Sequence, residues 1–400
     1  MIMNGKDVYN IAVRLNSLTV FRKLLEKAPL SQLLALLESG GDTLEKAGLY
    51  ADLVYSLSGD GFDFSKALCR AVFEDENEYV KREASGRPVP DAMKRNAEKD
   101  LGLLSYLCKE AQNICKAAVA DGYDAPEFCS ESVDLVKEYE KRVKNVRKCG
   151  YGLFSSASMF RVDGGRIVPV GSADSVTEDR LFGYEDERKQ LCGNIEALLD
   201  GIPASNMLLY GDAGTGKSSA VKACVNKYAK RGLRLIELRK DQLLTLPSVV
   251  ERLRDDPLKF IIFIDDLSFT KNDDSFGMLK AALEGSASAA TENAVICATS
   301  NRRHIVKESF SDREGDDVHI NDTVQELMSL SDRFGLQIYF KKPDKALYLH
   351  IVHCLCGIYG LDVDENTDTK AEAFALGKGG RSPRTAEQFV KTEVIKRGTK

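Results

Sequence analysis

The chain of 400 residues contains no tryptophan, only four histidines and ten prolines, and nowhere runs eighteen apolar residues together. The last absence leaves no candidate transmembrane helix. The opening Met-Ile-Met-Asn-Gly-Lys also lacks the charged-then-apolar layout of an export signal, so a cytosolic protein is expected. None of the histidines fits a catalytic constellation: His304 follows a polar turn, and His350 and His353 sit three apart on a helical stretch. No H-E-x-x-H, G-x-S-x-G or Cys-His arrangement occurs, which sets aside metalloprotease and serine-hydrolase chemistry. The ten cysteines include no C-x-x-C pair. Cys354 and Cys356 form C-x-C, a spacing that does not share a helix face, so the thiols read as small buried hydrophobes in a reducing compartment. A formal net charge of −5 gives nucleic acid no general attraction to the surface. The basic run 137–148 interleaves acids and apolar residues at helical spacing and reads as a solvated helix face.

What is present is globular, with 43% hydrophobic and 29% charged residues and enough length for two or three domains. From Val8 to Cys149 the apolar residues recur at helical spacing, Leu33, Leu36 and Leu37 among them, so residues 1–150 read as an all-helical domain. Residues 151–180 read as a β-hairpin, turning at Asp163-Gly164-Gly165-Arg166, followed by a polar linker. Over 181–342 short apolar runs alternate with helical stretches: Asn206–Tyr210, Leu233–Leu238, Lys259–Ile264, Ala294–Thr299 and Leu336–Phe340. That alternation predicts a five-stranded parallel sheet with helices on both faces, an α/β fold. Residues 343–400 turn purely helical and read as a small lid.

The first strand of that sheet runs into Gly211, Asp212, Ala213, Gly214, Thr215, Gly216, Lys217 and Ser218, a full match to G-x-x-x-x-G-K-[ST], with Ser219 next. Glycines are required because the backbone must turn tightly and aim its N–H groups at phosphate oxygens. Lys217 supplies a point charge, Ser218 a hydroxyl for Mg²⁺, and the helix that follows presents its positive end to the phosphates. Downstream, Phe260-Ile-Ile-Phe-Ile-Asp265-Asp266 is an apolar strand ending in two carboxylates, a Walker B pattern. Asp265 suits the Mg²⁺ shell and Asp266 the polarisation of an attacking water. Asn301 ends the next strand, where it would orient that water, and Arg333 precedes the last strand, where an arginine can stabilise a transferring phosphoryl group.

This order of motifs resembles the AAA+ ATPase superfamily. The resemblance implies bound ATP and Mg²⁺, Asn301 as sensor 1, Arg333 as the arginine finger of a neighbouring subunit's site, and Arg384 as sensor 2, with Arg381 the alternative. Ser382 suits the N-cap and Pro383 the first position of the helix that carries Arg384. Gly183 and Tyr184 resemble the segment that contacts adenine. More narrowly, residues 150–395 resemble an uncharacterised bacterial AAA+ family known only as domain of unknown function 815, which carries an ATPase label. The partners implied are further copies of the chain and a protein client. A loader acting with nucleic-acid machinery and a slow nucleotide switch are the alternatives. Two departures stand out: the second Walker B carboxylate is Asp266 where Glu is usual, and a long polar stretch lies between Arg303 and Thr323, within which Arg313 competes with Arg333. The absence of N-K-x-D favours ATP over GTP.

Overall fold

The computed structural model describes residues 5–119, 124–171, 176–267, 292–301, 333–364 and 366–398, with Gly277, Leu279 and Leu283. The chain divides into two units, Met1–Ser156 and Ala157–Lys400. The first is built from α1 (Gly5–Asn16), α2 (Leu30–Glu38), α3 (Thr43–Ser56), α4 (Phe64–Phe73), α5 (Glu78–Ser85), α6 (Asp91–Val119), α7 (Leu135–Lys144) and α8 (Val146–Cys149). Helix α6 has 29 residues, about 43 Å at ~1.5 Å per residue, and α1–α5 and α7 all pack against it. Its inner stripe, Leu104, Leu107, Ala111 and Ile114, recurs at i, i+3, i+4 spacing and is fully buried. Asp42, Asp63, Asn77 and Asp134 each cap a helix by accepting from a backbone N–H three residues on. Helix α5 ends on Gly86 in the left-handed conformation.

The second unit holds the sheet. All five expected strands form: β3 (Met207–Gly211), β4 (Leu233–Leu238), β5 (Lys259–Ile264), β6 (Ala294–Ser300) and β7 (Leu336–Phe340). The hairpin departs from expectation. Its strands β1 (Met159–Asp163) and β2 (Arg166–Pro169) do not stand apart with a linker but extend the same sheet. The order is β2-β1-β4-β5-β6-β3-β7, seven strands where five were expected, parallel throughout except for β1 against β2. The unit therefore begins at Ala157 and not near Leu181. The physical reason is that Met159, Phe160 and Val162 are apolar on both faces and find cover only as a strand beside β4, where Met159 faces Leu235. Gly164 and Gly165, at φ 52° and 76°, make the two-residue turn that such a hairpin needs.

One face of the sheet packs Leu209, Leu235, Ile261 and Cys297 against α9 (Glu185–Leu199) and α10 (Lys217–Tyr228). The alternate residues Leu208, Ile236, Phe260 and Ile262 are equally buried on the other face. Helix α11 (Leu246–Leu253) precedes β5, and after β7 comes a three-helix lid: α12 (Lys345–Ile358), α13 (Thr367–Gly377) and α14 (Pro383–Gly398), closed around Tyr348, Val352, Ala371 and Val390. Among the described residues no helix is long and apolar enough to cross a membrane. Six of the ten cysteines are buried, as expected, whereas Cys129 is exposed.

Within the first unit Asp100, on α6 and 6% exposed, accepts from the backbone N–H groups of Thr19, Val20 and Phe21 at 3.0, 2.8 and 3.2 Å. These amides lie in the turn after α1 and have no helical carbonyl to bond. Replacing Asp100 by Ala strands them, at a cost of about 2–3 kcal/mol for donors bonded to a charged group. We expect Asp100→Ala to lower the melting transition of the helical unit by several degrees, read by circular dichroism, with Asp100→Asn intermediate.

Candidate functional site

The loop between β3 and α10 carries three glycines at φ 136°, 77° and 92°, Gly211, Gly214 and Gly216, all in the region that favours glycine. Two are also forced by close approach. A Cβ on Gly211 would lie 2.1 Å from the carbonyl oxygen of Phe340 on β7, and one on Gly214 would lie 3.1 Å from Ser382 Oγ and 3.2 Å from Arg384 Cβ in the lid. Asp212 and Ala213 sit exposed at the tip. The Asp212 carbonyl accepts from Thr215 Oγ1 at 2.9 Å and helps to close the loop.

Lys217, 6% exposed, donates from Nζ to the carbonyls of Gly211 and Asp212 at 3.0 and 2.7 Å and to Asn301 Oδ1 at 3.2 Å. Burial holds its pKa below the ordinary lysine value, against the opposing pull of Asp212, Asp265 and Asp266. The amide of Asn301 is fixed from both sides, because its Nδ2 donates to Asp266 Oδ1 at 2.8 Å. The register of β5 on β6, with Ile264 opposite Ala298, brings these strand ends together. Ser218 Oγ donates to Asp265 Oδ1 at 2.6 Å, and the Thr299 hydroxyl reaches the same oxygen at 2.5 Å. Asp265 and Asp266 remain exposed beyond the buried strand, open to a ligand. A hydroxyl and a carboxylate side by side are hard oxygen donors of the kind Mg²⁺ accepts, so Ser218 and Asp265 fit that ion.

Beside the loop lies a cavity of about 570 Å³. Its walls are Gly214, Thr215, Gly216 and Ser219 from the loop and α10, Leu181, Phe182 and Tyr184 from the segment before α9, and Ile351, Leu355 and Arg384 from the lid. Tyr184 is itself left-handed at φ 61°, buried, and anchored by its hydroxyl on the Lys341 carbonyl at 2.7 Å. Gly183, at φ 74°, makes the turn that presents it, and a Cβ there would press on Leu347. The two lid arginines separate. Arg381 is tied to Glu372 at 2.8 and 2.5 Å, whereas Arg384 stands in the first turn of α14, lines the cavity and donates its backbone N–H to the Gly214 carbonyl at 3.3 Å. Ser382 caps that helix as expected, accepting from the Thr385 N–H at 3.0 Å.

Arg333 is half-buried just ahead of β7 and is not brought to this cluster. Because Leu336 pairs with Met207 and Phe340 with Gly211, Arg333 lies at the opposite end of the strand from the phosphate loop. Arg313 and the long polar stretch around it lie outside the described residues, as does His304. His353 pairs with Asp368 within the lid at 2.6 Å.

Residues 155–396 match the model of the family described as protein of unknown function, DUF815. The chain belongs to that family. No curated protein matches the chain. Among solved structures, the DUF815 chain is similar to the Thermotoga maritima RuvB Holliday junction branch migration motor at 15% identity and a TM-score of 0.37, over 54% of this chain and 63% of that one. It thus spans less than two thirds of RuvB. It is also similar to the FIGL-1 AAA domain in complex with ADP, at 16% identity and a TM-score of 0.41, over 56% of this chain and 75% of that one. The fold is an α/β P-loop fold with a helical lid, the glycine loop after β3 lying between the sheet's strand ends and the lid.

The share of the lid's first helix in the cavity was missed in the sequence, although Ile351, Leu355 and Ile358 follow i, i+4, i+7 on α12 and mark the stripe that faces it. Thr299 was missed as well. It lies two residues before Asn301, so its side chain shares a strand face with that asparagine. The packing of Gly214 on the lid leads to a test. Gly214→Ala strains the loop by ~1–2 kcal/mol and pushes Ser382 and Arg384 away. Nucleotide titration of that variant is expected to show at least about tenfold weaker binding, since ~1.4 kcal/mol is a factor of ten. An unchanged affinity would mean that the lid does not bear on the loop.

Proposed function

We propose that this protein binds ATP with Mg²⁺, hydrolyses it slowly, assembles with further copies of itself, and transmits nucleotide state to a protein client through its helical N-terminal unit. The observation that carries the reading is the joined set Lys217, Ser218, Asp265, Asp266 and Asn301, drawn from three separate elements onto one sheet edge. The neighbouring cavity is of a size that suits a nucleoside, within the ordinary ~300–1,000 Å³ range of ligand pockets.

In this reading the N–H groups of Gly214, Gly216 and Lys217 hold the phosphates, and Lys217 leaves its carbonyl partners for phosphate oxygens. Ser218 and Asp265 hold Mg²⁺, which would neutralise charge on the phosphate oxygens. Asp266 takes the proton side of the attacking water and Asn301 orients both. Asp266 is one methylene shorter than the usual Glu, and the longer path to the water makes turnover slow. Tyr184, Leu181 and Ile351 enclose the base, and Arg384 senses the phosphates from the lid. The position of Arg333 supports action in trans. Leu336 to Phe340 alone spans about 13 Å at ~3.3 Å per residue, and Arg333 lies beyond Leu336, so its own phosphate loop is out of reach. A neighbour's nucleotide is the site such an arginine serves. The helical unit, apart from the nucleotide fold, is the part left to hold a client. The net charge of −5 over the whole chain gives nucleic acid no general attraction, which favours a protein client.

Lys217→Ala is expected to abolish the rise in melting temperature that ATP gives the wild-type protein, and Asp266→Asn to bind ATP but turn it over at least about a hundredfold more slowly, the general-base share of catalysis. Arg333→Ala should bind ATP normally, lose turnover, and recover it when mixed with Lys217→Ala subunits that supply an intact Arg333. Light scattering with no nucleotide, with ADP, and with ATP on Asp266→Asn checks assembly: growth only with trapped ATP supports the trans site, and a monomer throughout would refute it.

A further inference from the structure

The chemistry above makes no use of Thr299, a buried polar side chain at the site. Thr299 on β6 is 2% exposed, and from there it bonds three consecutive residues of the neighbouring strand end. Its hydroxyl donates to Asp265 Oδ1 at 2.5 Å and accepts from the Asp266 N–H at 2.9 Å, while its carbonyl accepts from the Leu267 N–H at 2.7 Å. The directions are unambiguous, because an ionised carboxylate only accepts, an amide N–H only donates, and a hydroxyl has one proton for the first and a lone pair for the second.

The turn that Thr299 grips is a strained one. Asp266 adopts φ 51°, one of three non-glycine residues at positive φ among those described, and the left-handed conformation costs an L-residue ~1–2 kcal/mol. Such a conformation persists only where the surroundings over-determine it. Here they do so through Thr299 at the backbone and Asn301, two residues further along β6, at the carboxylate. We infer that Thr299 is a positioning residue for both carboxylates: its proton fixes which oxygen of Asp265 turns towards Ser218, and its lone pair holds the turn that aims Asp266 at the water site. It touches neither nucleotide nor metal and acts through the two aspartates. The inference rests on the proposed ATP chemistry and deepens it by naming what sets its geometry.

Two substitutions separate this role from packing. Thr299→Val keeps the β-branched shape and removes the hydroxyl, whereas Thr299→Ser keeps the hydroxyl and removes a methyl. The reading that does not depend on turnover is the Mg²⁺ concentration giving half-maximal binding of a fluorescent ATP analogue. We expect Thr299→Val to bind the analogue without Mg²⁺ as the wild type does, to need about tenfold more Mg²⁺, the loss of one bond to a charged group, and to lose at least tenfold in turnover. Thr299→Ser should restore both to near wild type. Valine behaving as wild type, or serine as impaired as valine, would overturn the inference while leaving the ATP reading standing. A wild-type protein that binds the analogue neither with nor without Mg²⁺ overturns both.

Discussion

Ile264 of β5 sits opposite Ala298 of β6, and the pairing of these two strands governs the contacts of Asp265 and Asp266 with Thr299 and Asn301. Side chains alternate between faces along a strand, so a slip of one residue would carry Thr299 and Asn301 to the far side of the sheet and leave Asp265 and Asp266 without partners. Parallel strands hold such a register only when both faces are buried, as they are here, with β5 covered along Phe260–Ile264. β3 is fixed in the same way. Tyr210 lies opposite Ser300 on one side and Tyr339 on the other, so Gly211 arrives against the backbone of Phe340 with no room for a side chain. The chemistry of the loop is thus a property of the sheet and not of the loop alone.

Within that frame the polar groups form a chain. The Lys217 ammonium donates to the Asn301 amide oxygen, and the amide nitrogen donates to Asp266. An anion drawing Lys217 away from the carbonyls of Gly211 and Asp212 would also release one end of Asn301. Lys217 and Asp266 are therefore linked through a single side chain.

Much of this was legible in the sequence. Leu233–Leu238, Lys259–Ile264 and Leu336–Phe340 have the bounds of the apolar-rich runs, most plainly Lys259–Ile264, which is buried on both faces and stops where Asp265 and Asp266 begin. The glycine loop after β3 and the paired aspartates after β5 stand where the sequence puts them, because each is a run of adjacent residues at a strand end. What depends on distant pairing was not readable. The hairpin 159–169 announces itself by its glycine turn but not the strand it joins, and Arg381 stays an alternative to Arg384 on paper until Glu372 claims it. Thr299 is one more β-branched residue in a strand until its neighbour's left-handed turn is seen.

The hairpin also changes what the sheet exposes. Without it β4, Leu-Arg-Leu-Ile-Glu-Leu, would offer a six-residue strand with four apolar side chains and an open row of amides and carbonyls, the kind of surface on which chains stack into aggregates. With it, the outermost strand on that side is Arg166-Ile-Val-Pro169, short, charged at its start and closed by a residue with no N–H to donate. A dozen residues thus give the sheet a blunt margin, guarding a fold that must expose its strand ends at one edge against pairing along its side.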